Sequence, residues 1–241
     1  MKITVGPEFH FQKLNEAIRE SRDKEIEVDG CIGQRYIGAA LSDKRVTING
    51  TPGNALGAYL DGAEIYVNGN AQDAVGDTMN GGRIVVRGNG GDAVGYAMRG
   101  GKILLRGNAG YRVGIHMKAY RENKPVIVVG GYCGSFLGEY QAGGIIVVLG
   151  LTEHDRPIVG NFCGTGMHGG EIYLRTDVLP PLLPKQVKAE RVEKITDKKI
   201  LSLIGEYCKE FGANEKEVVD HVFYRLTPDS ANPYKTMYVN N

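Results

Sequence analysis

The chain has 241 residues, and 29 lysines and arginines against 28 aspartates and glutamates leave a formal charge of +1. That balance offers no basic field for nucleic acid or an anionic membrane, and the opening MKITVGPEFHFQKL has the form of neither a signal peptide nor a membrane span. Four separated cysteines, Cys31, Cys133, Cys163 and Cys208, form no CxxC pair and point to a reduced, cytoplasmic setting.

In chain order, Met1–Val5 reads as a short strand. Phe11, Leu14, Ala17 and Ile18 fall at helical spacing, which predicts an amphipathic helix over His10–Arg22. Residues 1–29 are then a short α/β cap, and the helix is expected to cover the open end of a repeat array that starts at residue 30.

From residue 30 to 176 one short phrase repeats. Gly38, Gly57, Gly76, Gly95 and Gly114 stand 19 residues apart, and after two insertions the register returns at Gly138 and Gly164. The residue before each glycine is Ile37, Leu56, Val75, Val94, Val113, Leu137 and Cys163; three residues after it come Leu41, Leu60, Met79, Met98, Met117, Gln141 and Met167. Val46, Ile65, Ile84, Ile103, Val126, Ile146 and Ile172 form the next column, and Ile48, Val67, Val86, Leu105, Val128, Val148 and Leu174 lie two residues further on. These β-branched pairs define one face of a strand, with Arg83, Val85, Arg87 and Lys102, Leu104, Arg106 on a mixed opposite face. A leucine-rich repeat has a similar period, but here Gly-Gly pairs such as Gly81-Gly82 and Gly100-Gly101 punctuate each copy, where every turn rounds a corner. The expected fold is an all-β solenoid, a single-stranded parallel β-helix of about seven coils stacked at about 4.8 Å.

Two coils carry insertions, Lys118–Pro125 and Leu151–Pro157, read either as loops on a binding face or as tolerated surface variation. After Arg175 the period stops. Residues 177–241 open with the proline-rich VLPPLLPK, and Asp197 and then Asn214 with Glu217 offer caps for two short helices, a C-terminal helical tail. The aromatic end FYRLTPDSANPYKTMYVNN is expected to dock on the repeats or on a partner.

Little in the repeats carries chemistry. GTGMHG at Gly164–Gly169 matches GxGxxG, but a strand follows it where a dinucleotide site needs a helix. Cys163 occupies an inward aliphatic column and reads as a small buried hydrophobe. Asn70, Asn89 and Asn108 read as a stacked amide ladder. Arg112 interrupts a column of Ala55, Ala74 and Ala93, suited to an acidic partner or to a surface ion pair, while His116 and His168 lie near the Gly-Gly corner. Gln141 stands where other coils place Met or Leu, marking a contact or a locally polar interior. These four are the candidate partner contacts; no catalytic, metal-binding or cofactor-binding residue is assigned. An independent small-molecule enzyme working from the wall near Arg112, His116 and His168 is a third reading.

The runs GYAMRGGKILLRGN, GEYQAGGIIVVLG and GNFCGTGMHGGEIYL resemble the GXGXG domain at the carboxy end of the glutamate synthase large subunit, over roughly Gly30–Arg175, as a stand-alone version of that domain. The resemblance implies a right-handed β-helix, in line with the general preference for right-handed parallel crossovers, with no catalytic residues of its own. It implies a structural subunit that braces glutaminase and synthase partners, with FMN and an iron–sulfur cluster in those partners and no cofactor in this chain. Lys2 stands where a processed glutaminase needs cysteine, and no cysteine cluster suits an iron–sulfur centre. The same repeat occurs in a scaffold subunit of formylmethanofuran dehydrogenase, the alternative reading. No nucleic acid or membrane partner is expected, and a homo-oligomer is left open.

Overall fold

Alternating β-branched residues become strands wherever the repeat places them. In the computed structural model, which describes residues 1–152 and 155–229, the order is β1 (Lys2–Thr4), α1 (Phe11–Glu20), β2 (Glu25–Ile32), β3 (Arg45–Thr51), β4 (Asp61–Asn68), β5 (Gly81–Val86) and β6 (Lys102–Leu105). There follow β7 (Val126–Val129), β8 (Ala142–Val148), β9 (Gly169–Leu174), β10 (Val187–Val192), α2 (Lys198–Phe211), α3 (Glu215–Val219) and β11 (Phe223–Pro228). Among the described residues the strands form one 11-stranded sheet, ordered β1-β2-β3-β4-β5-β6-β7-β8-β9-β11-β10. Each neighbour pair from β1 to β9 is parallel, whereas β11 runs antiparallel to both β9 and β10.

This corrects the expected fold class. In place of an all-β, single-stranded β-helix of about seven coils with a helical tail, the described residues form a single mostly parallel sheet with three helices. A period counts only the strands that obey it. β1 pairs ahead of β2, and the segment beyond Arg175 returns to satisfy the exposed edge of β9 with β11 and then β10. An unpaired edge leaves a row of N–H and C=O groups without partners, and a periodic pattern cannot record the non-repeating strands that cover it.

The register also differs at β7. Ile103 pairs with Ile127 and Leu105 with Val129, so Ile127 and Val129 face the inner core, while the expected Val126 and Val128 pack on the other face. The segment Val126–Val129 is apolar at every position, so alternation cannot fix which residues point inward across an insertion.

The sheet therefore has two buried sides. The inner side packs against the return loops and, at the N-terminal end, against Leu14 and Ile18 of α1. On the outer side Val85, Leu104, Val128, Val147 and Tyr173 pack against Ile200, Leu203, Ile204 and Tyr207 of α2. That helix is capped as the sequence predicts: the Asp197 carboxylate accepts from the N–H groups of Lys199 (2.7 Å) and Ile200 (3.3 Å), and Gly212 ends it at φ 72°. Asn214 precedes α3, but its side-chain amide donates to Glu217 at 2.7 Å instead of capping the backbone. Polar residues of the mixed face become a clasp: Arg83 pairs with Glu206 (2.8 Å) and Glu210 (3.0 Å), Arg87 with Glu210 (3.0 Å), and Lys102 with Glu206 (2.5 Å). The predicted docking of the aromatic end is described only as far as Asp229, whose N–H donates to the Gln186 carbonyl at 2.7 Å; residues 230–241, and 153–154 of the second insertion, lie outside the described residues.

Candidate interaction surface

Between strands, each repeat returns through a loop centred on its glycine. The glycine itself is left-handed, with φ 71° at Gly95 and 69° at Gly114. So are the residues two before and two after it: Ala93 and Ala97 (φ 56° and 49°), Arg112 and His116 (57° and 55°), and Phe136 and Tyr140 (63° and 52°). Each left-handed residue with a side chain costs about 1 kcal/mol. Loop-to-loop backbone bonds offset that cost. Arg112 N–H donates to Ser135 (3.0 Å), His116 N–H to Glu139 (2.9 Å), and Gly114 N–H back to Val94 (2.8 Å), and the same three bonds recur along the stack. The loops are thereby held in register, and their side chains fall into straight columns.

Only glycine fits the central position. A Cβ at Gly95 would lie 2.3 Å from Ile127 Cδ1, and one at Gly114 2.5 Å from Ile146 Cδ1. The other repeat glycines, Gly38, Gly57, Gly76 and Gly138, are filled in the same way by the isoleucine of a following strand, while Gly164 is covered by Met167 and Val187.

The loop edges carry side-chain ladders. Asn70 Oδ1 accepts the N–H of Asn89 (2.8 Å), Asn89 Oδ1 that of Asn108 (2.8 Å), and Asn108 Oδ1 that of Tyr132 (3.1 Å). The expected amide ladder is thus a side-chain-to-backbone ladder. A second ladder was not expected from the sequence: Asn54 accepts from Asp73 N–H (3.3 Å), Asp73 from Asp92 (2.9 Å), and Asp92 from Tyr111 (2.8 Å). Its signal is an Asx residue three before the glycine in consecutive repeats.

Of the four candidate contacts, Arg112 and His116 stand exposed on opposite sides of one loop. Arg112 Nε donates to Glu139 Oε2 at 3.1 Å, and its guanidinium lies 5.0 Å from the centroid of Phe136. Phe136 in turn stacks on Phe162 at 5.2 Å. His116 meets Tyr96 edge-on at 6.0 Å and lies flat on Tyr140 at 5.1 Å. His168 is half-buried two residues past that column, with Nδ1 3.1 Å from the Gly166 carbonyl. Gln141 is fully buried: its amide nitrogen donates to Gly143 and Gly144 carbonyls at 3.2 Å, and Oε1 has no partner. The wall thus carries Arg112 and His116 on one loop, each with its own partners, and keeps Gln141 inside. The residues missed from sequence are Tyr96, Phe136, Tyr140 and Phe162, of which Phe136, Tyr140 and Phe162 occupy the columns of Arg112 and His116.

The groups with nucleophilic or ligating potential are placed differently. Burial pushes the Cys163 thiol up to about 12 and Cys31 up to about 11, and raises Cys133, with Cys163 adding to the effect. Thiols so protonated are poor nucleophiles and poor ligands at neutral pH. Among the described residues no three or more His, Cys, Asp or Glu side chains come together as a metal site, and no helix is long and apolar enough to cross a membrane. What the wall offers is contact: Tyr36, Tyr59, Tyr96, Tyr111 and Phe162 are each at least 40% exposed, and such aromatic and arginine side chains are the usual anchors of protein interfaces.

Comparisons with known proteins agree with the repeat. The family described as GXGXG motif matches residues 12–229. Uncharacterized protein MJ1350 of Methanocaldococcus jannaschii is 39% identical over 249 residues, covering 98% of this chain and 95% of its own. One chain of the X-ray crystal structure of the formyltransferase/hydrolase complex (FhcABCD) from Methylorubrum extorquens in complex with methylofuran superposes with a TM-score of 0.63. It shares 22% identity and covers 87% of this chain and 75% of that chain, a likeness of fold alone.

Proposed function

The chain belongs to the GXGXG motif family, and from that premise we propose that it is a structural subunit of a glutamate synthase-type complex. In this reading it braces a glutaminase part and an FMN- and iron–sulfur-bearing synthase part while they form glutamate from glutamine and 2-oxoglutarate. The observation that carries the reading is the loop wall: a rigid stack presents exposed aromatic rings and Arg112 in register, while the thiols are turned into the core and protonated. The four cysteines do not fit an iron–sulfur centre, because among the described residues no three His, Cys, Asp or Glu side chains come together. In this reading FMN and the cluster belong to the partners, and no reaction step is assigned to this chain.

The likeness to a chain of the formyltransferase/hydrolase complex favours a second reading, a scaffold subunit of a formylmethanofuran dehydrogenase-type complex. Affinity purification of the full chain from its own cells separates the two. Co-purification with a glutaminase and a flavin- and iron–sulfur-containing chain, with glutamate formed from glutamine and 2-oxoglutarate by the eluate, supports the first. Co-purification with formyl-transferring chains supports the second, and a chain that elutes alone removes both.

A further inference from the structure

One end of the sheet is an open strand. β10 has β11 on one side and, among the described residues, no strand on the other. The hydrogen-bond phase fixes which of its groups point outward. Asp229 N–H donates to the Gln186 carbonyl at 2.7 Å, and that pair continues the β10–β11 register by one step beyond Val187 and Pro228. Hydrogen-bonded and non-hydrogen-bonded pairs alternate in an antiparallel ladder. Lys188, Glu190 and Val192 therefore also turn their peptide groups towards β11, and Val187, Ala189 and Arg191 turn theirs to the open edge. Pro228, opposite Val187, has no N–H to give, and that phase asks none of it. The Val187 N–H is used by the Pro184 carbonyl at 3.0 Å, while those of Ala189 and Arg191 face the opening. An edge of this kind is a template for another strand.

The strand VKAERV is complementary to itself in one register. A two-fold axis normal to the sheet sets a second β10 antiparallel to the first and keeps each face of the sheet on its own side. With the axis at Lys188, Glu190 or Arg191, two like charges stand directly opposite, which is unfavourable. With the axis at Val187 or Val192, the ends of the strand, nothing else of β10 is paired. At Ala189 the whole strand is paired. Ala189 faces Ala189 of the second copy and the two exchange both N–H to carbonyl bonds, while each Arg191 N–H reaches the other copy's Val187 carbonyl. Lys188 faces Glu190 of the second copy, twice. Both side chains are on the outer face and largely exposed, 68% and 66%. Within one chain Arg225 already lies between Glu171 (3.1 Å) and Glu190 (3.5 Å), and Lys188 meets Asp229 at 2.6 Å. The pairing adds a lysine beyond Glu190, so the signs alternate across the joint.

We propose that the chain dimerises through β10, with the sheet running unbroken from one copy into the other about a two-fold axis at Ala189. The pairing is independent of what the loop wall binds and leaves that wall free on both copies.

Sedimentation equilibrium of the full chain tests it. Edge pairing of one short strand makes a small interface, so the wild type is expected to dimerise with a Kd of roughly 10–100 μM. Ala189→Pro is expected to weaken the dimer at least tenfold, because proline removes an N–H that only the second copy uses; an outward-facing edge position tolerates it. Unaltered circular dichroism and melting temperature confirm the fold of the variant. Lys188→Glu and Glu190→Lys give a second test that does not touch the backbone. Each alone is expected to weaken the dimer, since it opposes like charges at both pairs. An equimolar mixture of the two is expected to associate at least as well as the wild type, because a strand with two acids then meets a strand with two bases. A wild type that stays monomeric at about 500 μM, a dimer indifferent to Ala189→Pro, or a mixture no tighter than either variant alone overturns the proposal. Growth beyond a dimer also overturns it, since β10 would then be joining the other end of the sheet at β1.

Discussion

The ring of His116 lies on the ring of Tyr140, with centroids 5.1 Å apart and planes 9° from parallel. The contact joins two adjacent loops through residues that both have left-handed backbones, φ 55° and 52°. The side chains stack because the backbone bond from His116 N–H to the Glu139 carbonyl, 2.9 Å, fixes the loops one above the other. His116→Ala leaves that bond in place, and alanine already holds the same column at Ala40 and Ala97 with φ 58° and 49°. The expected cost is about 1 kcal/mol, the value of the ring stack alone. Urea denaturation measures it; a loss beyond about 3 kcal/mol would mean that the histidine has a buried role the geometry does not show.

Two residues nearer the core, the same sign of φ has a different consequence. Gly95 has φ 71°, and an added Cβ meets Ile127 Cδ1 at 2.3 Å, with Cγ1 next at 3.3 Å. Gly95→Ala combines left-handed strain with overpacking and is expected to cost about 2–4 kcal/mol. Ile127→Val deletes the clashing methyl and alone costs about 1 kcal/mol. The double variant is expected to be more stable than the sum of the singles by about 1 kcal/mol or more. Additive losses would show that strain, not the contact, reserves the position for glycine.

The inner columns were legible because the repeat writes them seven times, in residue types that suit only a buried strand or a tight turn. What the repeat does not write was lost. The VIVV run of β7 is apolar on both faces, so its register slipped by one residue until β6 fixed it through Ile103 and Ile127. Val85 and Leu104 looked like members of a mixed face because α2, which covers them, lies about 100 residues further along the chain. The aromatic columns were hidden for another reason. Tyr36, Phe136 and Phe162 stand two before the glycine and Tyr59 and Tyr140 two after it, but alanine, arginine, threonine, histidine and glycine fill the other places in those columns and Tyr96 lies in neither, so no column reads as aromatic. Strands β11 and β10, which follow β9 in the sheet, lie outside the period altogether, and only the need to cover β9 calls for them.

Cys163 links burial to pH. Its thiol is raised from 9.0 to about 12, with burial as the cause. Below pH 9 the folded and unfolded thiols are both protonated and the site is pH-independent. Above it the unfolded chain holds fewer protons than the folded one, so stability falls as pH rises towards 12. Cys163→Val, which matches Val75, Val94 and Val113 in the same column, abolishes this contribution. Between pH 8 and about 10.5 the wild type is expected to lose on the order of 1–2 kcal/mol more than the variant. Raised tyrosines such as Tyr207 titrate in both proteins alike, so the difference isolates the cysteine. Parallel pH curves would show that Cys163 is not held protonated.

Gln141 is the one amide in a column of leucine and methionine side chains. Its neighbours in the stack, Met117 and Met167, are 0% and 1% exposed, and Gln141 is equally buried. The terminal atoms serve one purpose: Met79 Cε lies where a Cβ on Gly101 would be 2.5 Å away, and Gln141 Nε2 where a Cβ on Gly170 would be 2.4 Å away. Methionine therefore fits the space. The amide gains two donor contacts of 3.2 Å to Gly143 and Gly144 carbonyls but leaves Oε1 buried without a partner. An unsatisfied buried acceptor costs about 1–3 kcal/mol, while a neutral hydrogen bond returns about 1 kcal/mol and less at this length. The acceptor outweighs the donors, so Gln141→Met is expected to raise stability by about 1 kcal/mol, read as a higher urea midpoint at unchanged slope. A lower midpoint would mean that the two glycine carbonyls depend on the amide and that the polar residue stabilises the sixth repeat.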